Sequence, residues 1–450
     1  MKDMINKEAE GKKLYIETYG CQMNFSDSEI VTSILTDKGY EVTGEMKEAD
    51  LILLNTCSIR DNAEQRVRNR LNELHSLKKK NPKLVIGLLG CMAERLKDKI
   101  LEEEKHIDLI VGPDGYRSIP DLIEEVESGQ KAVNVILSAD ETYADINPVR
   151  LGSNKVTAFI SIMRGCQNFC SYCVVPYTRG KERSRNPQTI IEEATNLFGQ
   201  GYREVTLLGQ NVNSYRWEDN GLPYEFPSLL EDVASINPLL RVRFATSHPK
   251  DLSDELLEVM AANPNICRSI HLPVQSGSTR MLQMMHRDYT REWYMERIEA
   301  IKKHLPGCSI TTDIIAGFCT ETEDDHLFTL DMMKWVKYDY AYMFKYSERP
   351  NTYAADNYTD DVAEDIKSQR LEEIISLQQE LSLESNKADI GKTLEVLIEG
   401  TSKRDSNQLY GRTGSNKVVV FTSALLQPGQ YAMVKITDCT SATLKGELAE

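Results

Sequence analysis

The chain of 450 residues has no apolar run long enough to cross a bilayer, which in helical form takes about 20 consecutive apolar residues. Its first eight residues, Met1 to Glu8, lack the apolar stretch of a secretory leader. Cysteine is scarce for the length. Ten residues cannot brace a disulfide scaffold of this size, and their grouping points to metal binding in a reducing compartment. A cytoplasmic protein with no membrane partner is expected. A basic excess is also missing: 53 Lys and Arg face 69 Asp and Glu, a net charge of −16. That weighs against a polyanionic partner unless acid and base are segregated. Segregation is visible from Lys392 onward, where seven Lys and Arg meet six Asp and Glu. Local basic clusters occur at Arg66, Arg68 and Arg70; at Lys78, Lys79 and Lys80; at Arg179, Lys181, Arg183 and Arg185; and at Lys403 and Arg404. A solvated face is the commoner meaning of such clusters, but the 179–185 group directly follows a cysteine motif. With 41% hydrophobic and 27% charged residues, the composition is that of a globular protein with room for two or three domains.

What the chain does have is a tight cysteine motif. Cys166, Cys170 and Cys173 are spaced Cys-x3-Cys-x2-Cys just after the apolar run 156–162, with Tyr172 before the last cysteine. Three thiolates on one short loop can hold three corners of a cubic [4Fe–4S] cluster and leave the fourth iron open. The alternative is a zinc knuckle, although zinc favours paired Cys-x2-Cys arms or histidine, closed to four ligands.

The first third of the chain reads as βα repeats. Apolar runs at 14–19, 51–54 and 84–89 predict buried parallel strands, each ending at a cysteine: Cys21, Cys57 and Cys91. Helices are expected from Ser26, with Glu29 completing a capping box, at 61–79 and at 93–104. A strand at 107–111 and a helix at 119–127 follow. The 35 and 33 residues between these cysteines are about one βα unit each, and C-terminal ends of parallel strands converge on a crevice. Any one of them alone would be an ordinary buried thiol; three at equivalent strand ends make a second three-cysteine cluster site the better reading.

Strands are predicted at 156–162, 204–208, 242–245, 269–272, 309–315 and 340–346, alternating with helices at 188–198, 228–236, 254–261, 291–304 and 323–336. Six βα units suit an open barrel with its chemistry at the C-terminal strand ends. His248 and His271 are substrate-side candidates or satisfied core histidines. After a charged helical connector at 360–387, short strands at 393–399, 409–412, 418–421, 431–436 and 442–447 suggest a small barrel, an architecture often used on nucleic acid, or a structural cap. The expected fold is α/β: an N-terminal doubly wound parallel βα domain (1–150, core 12–130), a central (β/α)6 partial TIM barrel (151–385) and a small OB-like β-barrel (386–450).

The cysteine loop at the head of the barrel resembles that of radical S-adenosylmethionine (SAM) enzymes. There the open iron chelates the amino and carboxylate groups of SAM, and one electron cleaves it to a 5′-deoxyadenosyl radical. Two three-cysteine sets in this domain order resemble the methylthiotransferases of that superfamily over nearly the whole chain, and imply that the tail is a TRAM domain contacting RNA. The segments 177–181 (Tyr-Thr-Arg-Gly-Lys), 207–215 (Leu-Leu-Gly-Gln-Asn-Val-Asn-Ser-Tyr) and 271–277 (His-Leu-Pro-Val-Gln-Ser-Gly) look closest to the MiaB-type branch acting on tRNA. Cys319 stands where relatives usually carry proline and reads as neutral. Cys267, Cys308 and Cys439 read as ordinary buried thiols.

The resemblance implies two [4Fe–4S] clusters, on Cys166, Cys170 and Cys173 and on Cys21, Cys57 and Cys91. It implies SAM beside Tyr172, Gly209, Gln210, Asn211, Gln275, Ser276, Asp313 and Gly317. No catalytic residue is assigned beyond the cluster ligands. The implied partners are the tRNA anticodon loop, met by Arg179, Lys181, Arg183, Arg185, Lys403 and Arg404, and a reductant such as flavodoxin or ferredoxin; a monomer is expected. The implied reaction puts a methylthio group on a ring carbon of isopentenyl-adenosine. That carbon has no acidic proton and no leaving group, so a general base fails and a radical is the way in. Other readings are a methylthiotransferase for threonylcarbamoyl-adenosine or a ribosomal aspartate, against which residues 210–215 count, an iron–sulfur RNA sensor without turnover, and a zinc-stabilised RNA-binding module.

Overall fold

Central parallel strands are covered on both faces and so must be apolar along their length. The computed structural model, which describes residues 11–57, 61–104, 106–152, 154–219, 221–403 and 405–449, shows this in its first sheet. The strands are β1 (Lys13–Thr18), β2 (Glu41–Val42), β3 (Leu51–Thr56), β4 (Val85–Gly90), β5 (Leu109–Val111) and β6 (Ala132–Asn134). All pair in parallel in the order β2-β1-β3-β4-β5-β6. β3 and β4, at the centre, are buried at every residue. Helices α1 (Gln22–Thr36), α2 (Asp61–Lys80), α3 (Cys91–Glu103) and α4 (Ile119–Glu127) connect them. The order reverses between β1 and β3, so the C-terminal edge of those strands is the switch point of the sheet.

The expected helix start at Ser26 is corrected. α1 begins four residues earlier, with Cys21 in the N-cap position, and both Ser26 and Glu29 are buried inside it. Polar residues of this turn have tertiary partners instead. Ser28 Oγ lies 2.7 Å from Thr18 Oγ1, and Glu29 accepts from Arg150 Nη1 at 2.9 Å and from the Leu151 N–H at 3.0 Å.

The chain divides into two units: Met1–Leu151 with Met163–Gln167 and Cys173–Arg185, and Gly152–Ile162 with Asn168–Tyr172 and Asn186–Glu450. β7 (Thr157–Ser161) opens the second unit. The short strands β8 (Met163–Arg164) and β9 (Arg183–Ser184), and helix α5 (Val175–Arg179) between them, belong to the first. The second unit continues with α6 (Pro187–Gly199), β10 (Glu204–Leu208), the hairpin β11 (Arg216–Asp219) and β12 (Leu222–Glu225), α7 (Phe226–Ser235) and β13 (Arg241–Ala245). Next come α8 (Asp254–Ala262), β14 (Ser269–His271), α9 (Thr279–Met284), α10 (Arg291–His304), β15 (Ser309–Ala316), α11 (Glu323–Val336) and β16 (Tyr340–Lys345). Parallel pairing runs β7-β10-β13 and β14-β15-β16. A parallel bridge between Val242 and Ile266 joins the two sets, giving the expected six-stranded partial barrel.

After α12 (Tyr353–Asn357) and the long α13 (Glu364–Lys387), the strands β17 (Thr393–Thr401), β18 (Gln408–Thr413), β19 (Val418–Thr422), β20 (Tyr431–Cys439) and β21 (Leu444–Leu448) close into a barrel. Alternate residues fill its interior, among them Val396, Ile398, Val419, Phe421, Val434 and Ile436, as period-two strands around one core require. This barrel is docked at the N-terminal ends of β10 and β13. Arg243 Nη2 donates to the Thr413 carbonyl at 2.7 Å while its Nε meets buried Glu204 at 2.8 Å. Arg241 stacks over the Tyr431 ring, and the Tyr431 hydroxyl donates to the Leu239 carbonyl at 3.0 Å.

Arg243 is the peg of this joint, and among the described residues it is the ion-pair partner of Glu204. Arg243→Met should lower unfolding stability by about 3–5 kcal/mol, the cost of stranding one partner of a buried ion pair. Denaturant titration would read that loss. Limited proteolysis should show faster cleavage in the link between α13 and β17.

Candidate functional site

Cys21, Cys57 and Cys91 follow the C-terminal ends of β1, β3 and β4, three neighbouring parallel strands. Cys21 occupies the N-cap position of α1 and Cys91 is the first residue of α3, beside first-turn N–H groups that have no partner within the helix. Gly20, with φ of +110°, turns the chain into Cys21, and a Cβ there would stand 2.4 Å from the Cys57 Cβ. No other residue allows that approach. Cys21 Sγ donates to Asn24 Oδ1 at 3.6 Å, Arg179 Nη2 donates to the same oxygen at 3.0 Å, and Arg179 Nε donates to Cys91 Sγ at 3.2 Å. One hydrogen-bonded chain therefore runs from Cys21 to Cys91, with Cys57 against the turn. Burial pushes the Cys91 thiol up and the Arg179 guanidinium opposes it. Among the described residues no three Cys, His, Asp or Glu side chains are gathered tightly enough to grip one ion. Three thiols at neighbouring strand ends could each ligate a different iron of a cubic cluster.

Behind these cysteines lies a buried ion network. Asp27, on α1, is wholly enclosed; its Oδ1 accepts from Arg164 Nη1 and its Oδ2 from Arg179 Nη2, both at 2.8 Å. Burial alone would push the Asp27 carboxyl up, but the two guanidiniums outweigh it and hold the carboxyl below the usual range. Arg183 Nη2 meets Asp114 at 2.9 Å. Arg164 and Arg179 flank the cysteine loop in sequence, so the loop's two ends are tied to α1 through one carboxylate. The expectation that Arg179 and Arg183 offer charge to phosphate is thus corrected: both are buried and matched internally. Arg185 is buried as well, whereas Lys181 and Lys403 are exposed. Arg404 lies outside the described residues, and so do Met1 to Glu8.

In the second unit, Cys170 Sγ accepts from Arg287 Nη1 at 3.2 Å, and the same nitrogen reaches the Tyr172 hydroxyl at 3.4 Å. The Tyr172 ring stands edge-on to Phe318, their centroids 6.4 Å apart. Arg287 is missed by sequence reasoning. It sits in no spaced motif, and it is brought beside Cys170 where the Ser171 N–H bonds the Met285 carbonyl at 3.0 Å and the Ser171 hydroxyl the Met284 carbonyl at 2.8 Å.

The C-terminal ends of the barrel strands hold several polar atoms with no partner. Gln210 Oε1 and both amide atoms of Asn213, after β10, are buried and unpaired, as are Ser247 Oγ and His248 Nε2 after β13. Thr246 and Gln275 adopt positive φ of 72° and 69° at these ends, strain of the kind that accumulates at ligand sites. His248 Nδ1 accepts from the Lys250 N–H at 3.4 Å, which places the ring proton on the unpaired Nε2. Burial, helped by Arg287 and Lys250, pushes His248 down to about 2, so the ring is neutral. Unmatched buried donors and acceptors are costly, and their concentration here fits a polar ligand such as SAM.

Other expected SAM contacts have partners in the chain. Asn211 Nδ2 donates to Asp251 at 2.6 Å and its Oδ1 accepts from the His248 N–H at 3.0 Å. Ser276 Oγ lies 3.3 Å from Thr329 Oγ1. Asp313 sits 3.5 Å from His271 Nε2, whose Nδ1 is 3.0 Å from Thr311. Gly317 packs under Lys367, where a Cβ would come within 2.3 Å of its Cγ. Gly209 is buried between Leu208 and Gln210. Cys267 and Cys319 are buried, while Cys308 and Cys439 are only partly so, a correction to their reading as buried thiols.

Comparison with known proteins covers all three regions. Residues 13–112 match the uncharacterized protein family UPF0004, 160–333 the radical SAM superfamily and 387–449 the TRAM domain. The chain is similar to the tRNA-2-methylthio-N(6)-dimethylallyladenosine synthase of Phocaeicola vulgatus, 56% identical over 98% of this chain and 96% of that one. The protein of the same name from Bacteroides thetaiotaomicron is 57% identical over 97% and 96%. Among solved structures, the radical SAM methyltransferase TsrM of Kitasatospora setae, with cobalamin and a [4Fe–4S] cluster bound, shares the fold with a TM-score of 0.58, 14% identity and 77% of each chain covered.

Asp27→Asn should cost about 3–5 kcal/mol, since it leaves two buried guanidiniums without their carboxylate; a shifted denaturant midpoint would report it. His248 gives a pH signature. Its folded pKa lies below the unfolded value of about 6.5, so its contribution is present above that pH and lost as pH falls. Against His248→Asn, the wild-type chain should lose up to about 1.4 kcal/mol of stability per pH unit below that point.

Proposed function

This chain belongs to the tRNA-2-methylthio-N(6)-dimethylallyladenosine synthase family, and from that membership we propose that it converts N6-isopentenyladenosine beside the tRNA anticodon to its 2-methylthio derivative. SAM serves both as methyl donor and as source of the 5′-deoxyadenosyl radical. The observation that carries this reading is 56% identity to a relative of that name across 98% of the chain. The proposed division is a methylthiotransferase domain at 1–150, a radical SAM core at 151–385 and a TRAM domain at 386–450.

The residues suit two [4Fe–4S] clusters, one on Cys166, Cys170 and Cys173 and one on Cys21, Cys57 and Cys91. When bound, such clusters supply a single electron to SAM at one site and an open iron that can carry sulfur at the other. The chain's own work is to position. Cys21 and Cys91 stand at helix N-termini, where first-turn N–H groups can meet a ligating sulfur. Gln210, Asn213, Ser247 and neutral His248 supply the unpaired donors and acceptors that a nucleoside amino acid needs. Tyr172, Gly209 and Gln275 line the same strand ends by sequence position.

For RNA, exposed Lys181 and Lys403 replace the buried arginines as phosphate contacts. The tail barrel carries a groove of about 880 Å³ whose lining includes Lys403, Tyr410 and Lys445, a combination of cations with an aromatic face that suits single-stranded bases. Extruding the target base costs least in a loop, where it is already unpaired. No described helix is long and apolar enough to cross a membrane. The proposal includes a one-electron donor such as flavodoxin or ferredoxin, a monomeric enzyme and a cytoplasmic site.

Anaerobic turnover of the reconstituted enzyme with SAM, reductant and tRNA bearing isopentenyl-adenosine should yield the 2-methylthio nucleoside by mass spectrometry. Product only on threonylcarbamoyl-adenosine tRNA would overturn the substrate. Iron should approach about eight per chain, and Cys57→Ala should bring it to about four and abolish methylthio product while 5′-deoxyadenosine still forms.

A further inference from the structure

Arg287 is 4% exposed. Its Nε donates to the Tyr289 hydroxyl at 3.0 Å, its Nη2 to the Pro273 carbonyl at 2.8 Å, and its Nη1 to Tyr172 at 3.4 Å and Cys170 Sγ at 3.2 Å. Five other buried arginines have a carboxylate: Arg164 and Arg179 share Asp27, Arg183 has Asp114, Arg243 has Glu204 and Arg370 has Glu321. Among the described residues Arg287 has none. A buried guanidinium without a counter-ion is among the costliest arrangements a protein can hold, and the neighbour best able to carry negative charge here is the Cys170 sulfur.

We infer that Arg287 is the counter-charge of the cluster held by Cys166, Cys170 and Cys173, and that its hydrogen bond to the Cys170 sulfur raises the reduction potential of that cluster. This rests on the cluster assignment proposed above. Three thiolates give a [4Fe–4S] cluster net negative charge, and accepting one electron adds another. A fixed cation beside one sulfur stabilises the reduced form more than the oxidised form, and hydrogen bonds to ligand sulfurs act in the same direction. Tyr289 and Pro273 hold the planar fork, so the cation is aimed before the electron arrives, which a flexible lysine cannot reproduce in full. Arg287 acts through Cys170 and is a positioning residue.

The test is an anaerobic redox titration of the full-length reconstituted protein, reading the cluster whose EPR signal changes on adding SAM. With iron and sulfide content unchanged, Arg287→Gln should lower the ratio of reduced to oxidised cluster about tenfold at the wild-type midpoint, a shift of about 59 mV to more negative potential. Arg287→Lys, which keeps the charge, should restore part of it. Wild-type potential in an Arg287→Gln protein with full cluster content would overturn the inference. If that variant loses its cluster, wild-type protein with nitrogen-15 arginine decides: a weak nitrogen coupling to the reduced cluster, lost in Arg287→Lys, supports the inference, and its absence overturns it. A wild-type chain with no SAM-responsive cluster would instead overturn the cluster assignment itself.

Discussion

Asp27 has no solvent with which to share its charge, and the first unit is organised around that fact. It lies on the helix that Cys21 caps, and it binds Arg164 before the cysteine loop and Arg179 after it. Arg179 in turn reaches Cys91 and Asn24. A single buried carboxylate thereby fixes α1, the two ends of the 164–179 segment and the start of α3 in one arrangement. Neutralising either side would leave charge stranded in low dielectric, so the network forms whole or not at all.

The second unit separates its tasks along the strand direction. The N-terminal ends of β10 and β13 are occupied by the tail barrel through Arg241, Arg243 and Tyr431. The C-terminal ends carry the unpaired groups of Gln210, Asn213, Ser247 and His248. Docking at one end keeps the other open for a ligand, in keeping with the general habit of parallel barrels. Two arginines, one in each unit, each donate to a cysteine sulfur, but they differ in electrostatics. Arg179 is neutralised by Asp27, whereas Arg287 is held by neutral oxygens.

Much of the fold was legible from the chain because its signals are local. The runs at 51–54 and 84–89 read as buried strands, and the three cysteines recur at one βα interval, so a shared sheet edge was the expectation that periodicity supported. The start of α1 was not legible, because Ser26 and Glu29 have the local pattern of a cap, and only their burial and the contacts of Glu29 with Arg150 and Leu151 show that they are interior. The basic run 179–185 misled for a similar reason. Arginine in sequence looks like surface charge, and Asp27 and Asp114, which bury it, lie more than sixty residues away.

By itself the sequence determined which side chains are available and at what chain interval: the cysteine spacing, the strand periodicity, and the resemblance that those motifs carry. Local spacing survives folding because covalent geometry enforces it. Tertiary structure alone decided which charges are matched and which groups are left without partners. Arg179 found a carboxylate, Arg287 found a thiol, and His248 kept a buried proton unpaired. Burial and pairing depend on neighbours distant in the chain, and in a low-dielectric interior those neighbours settle whether a charged side chain serves the surface or the chemistry.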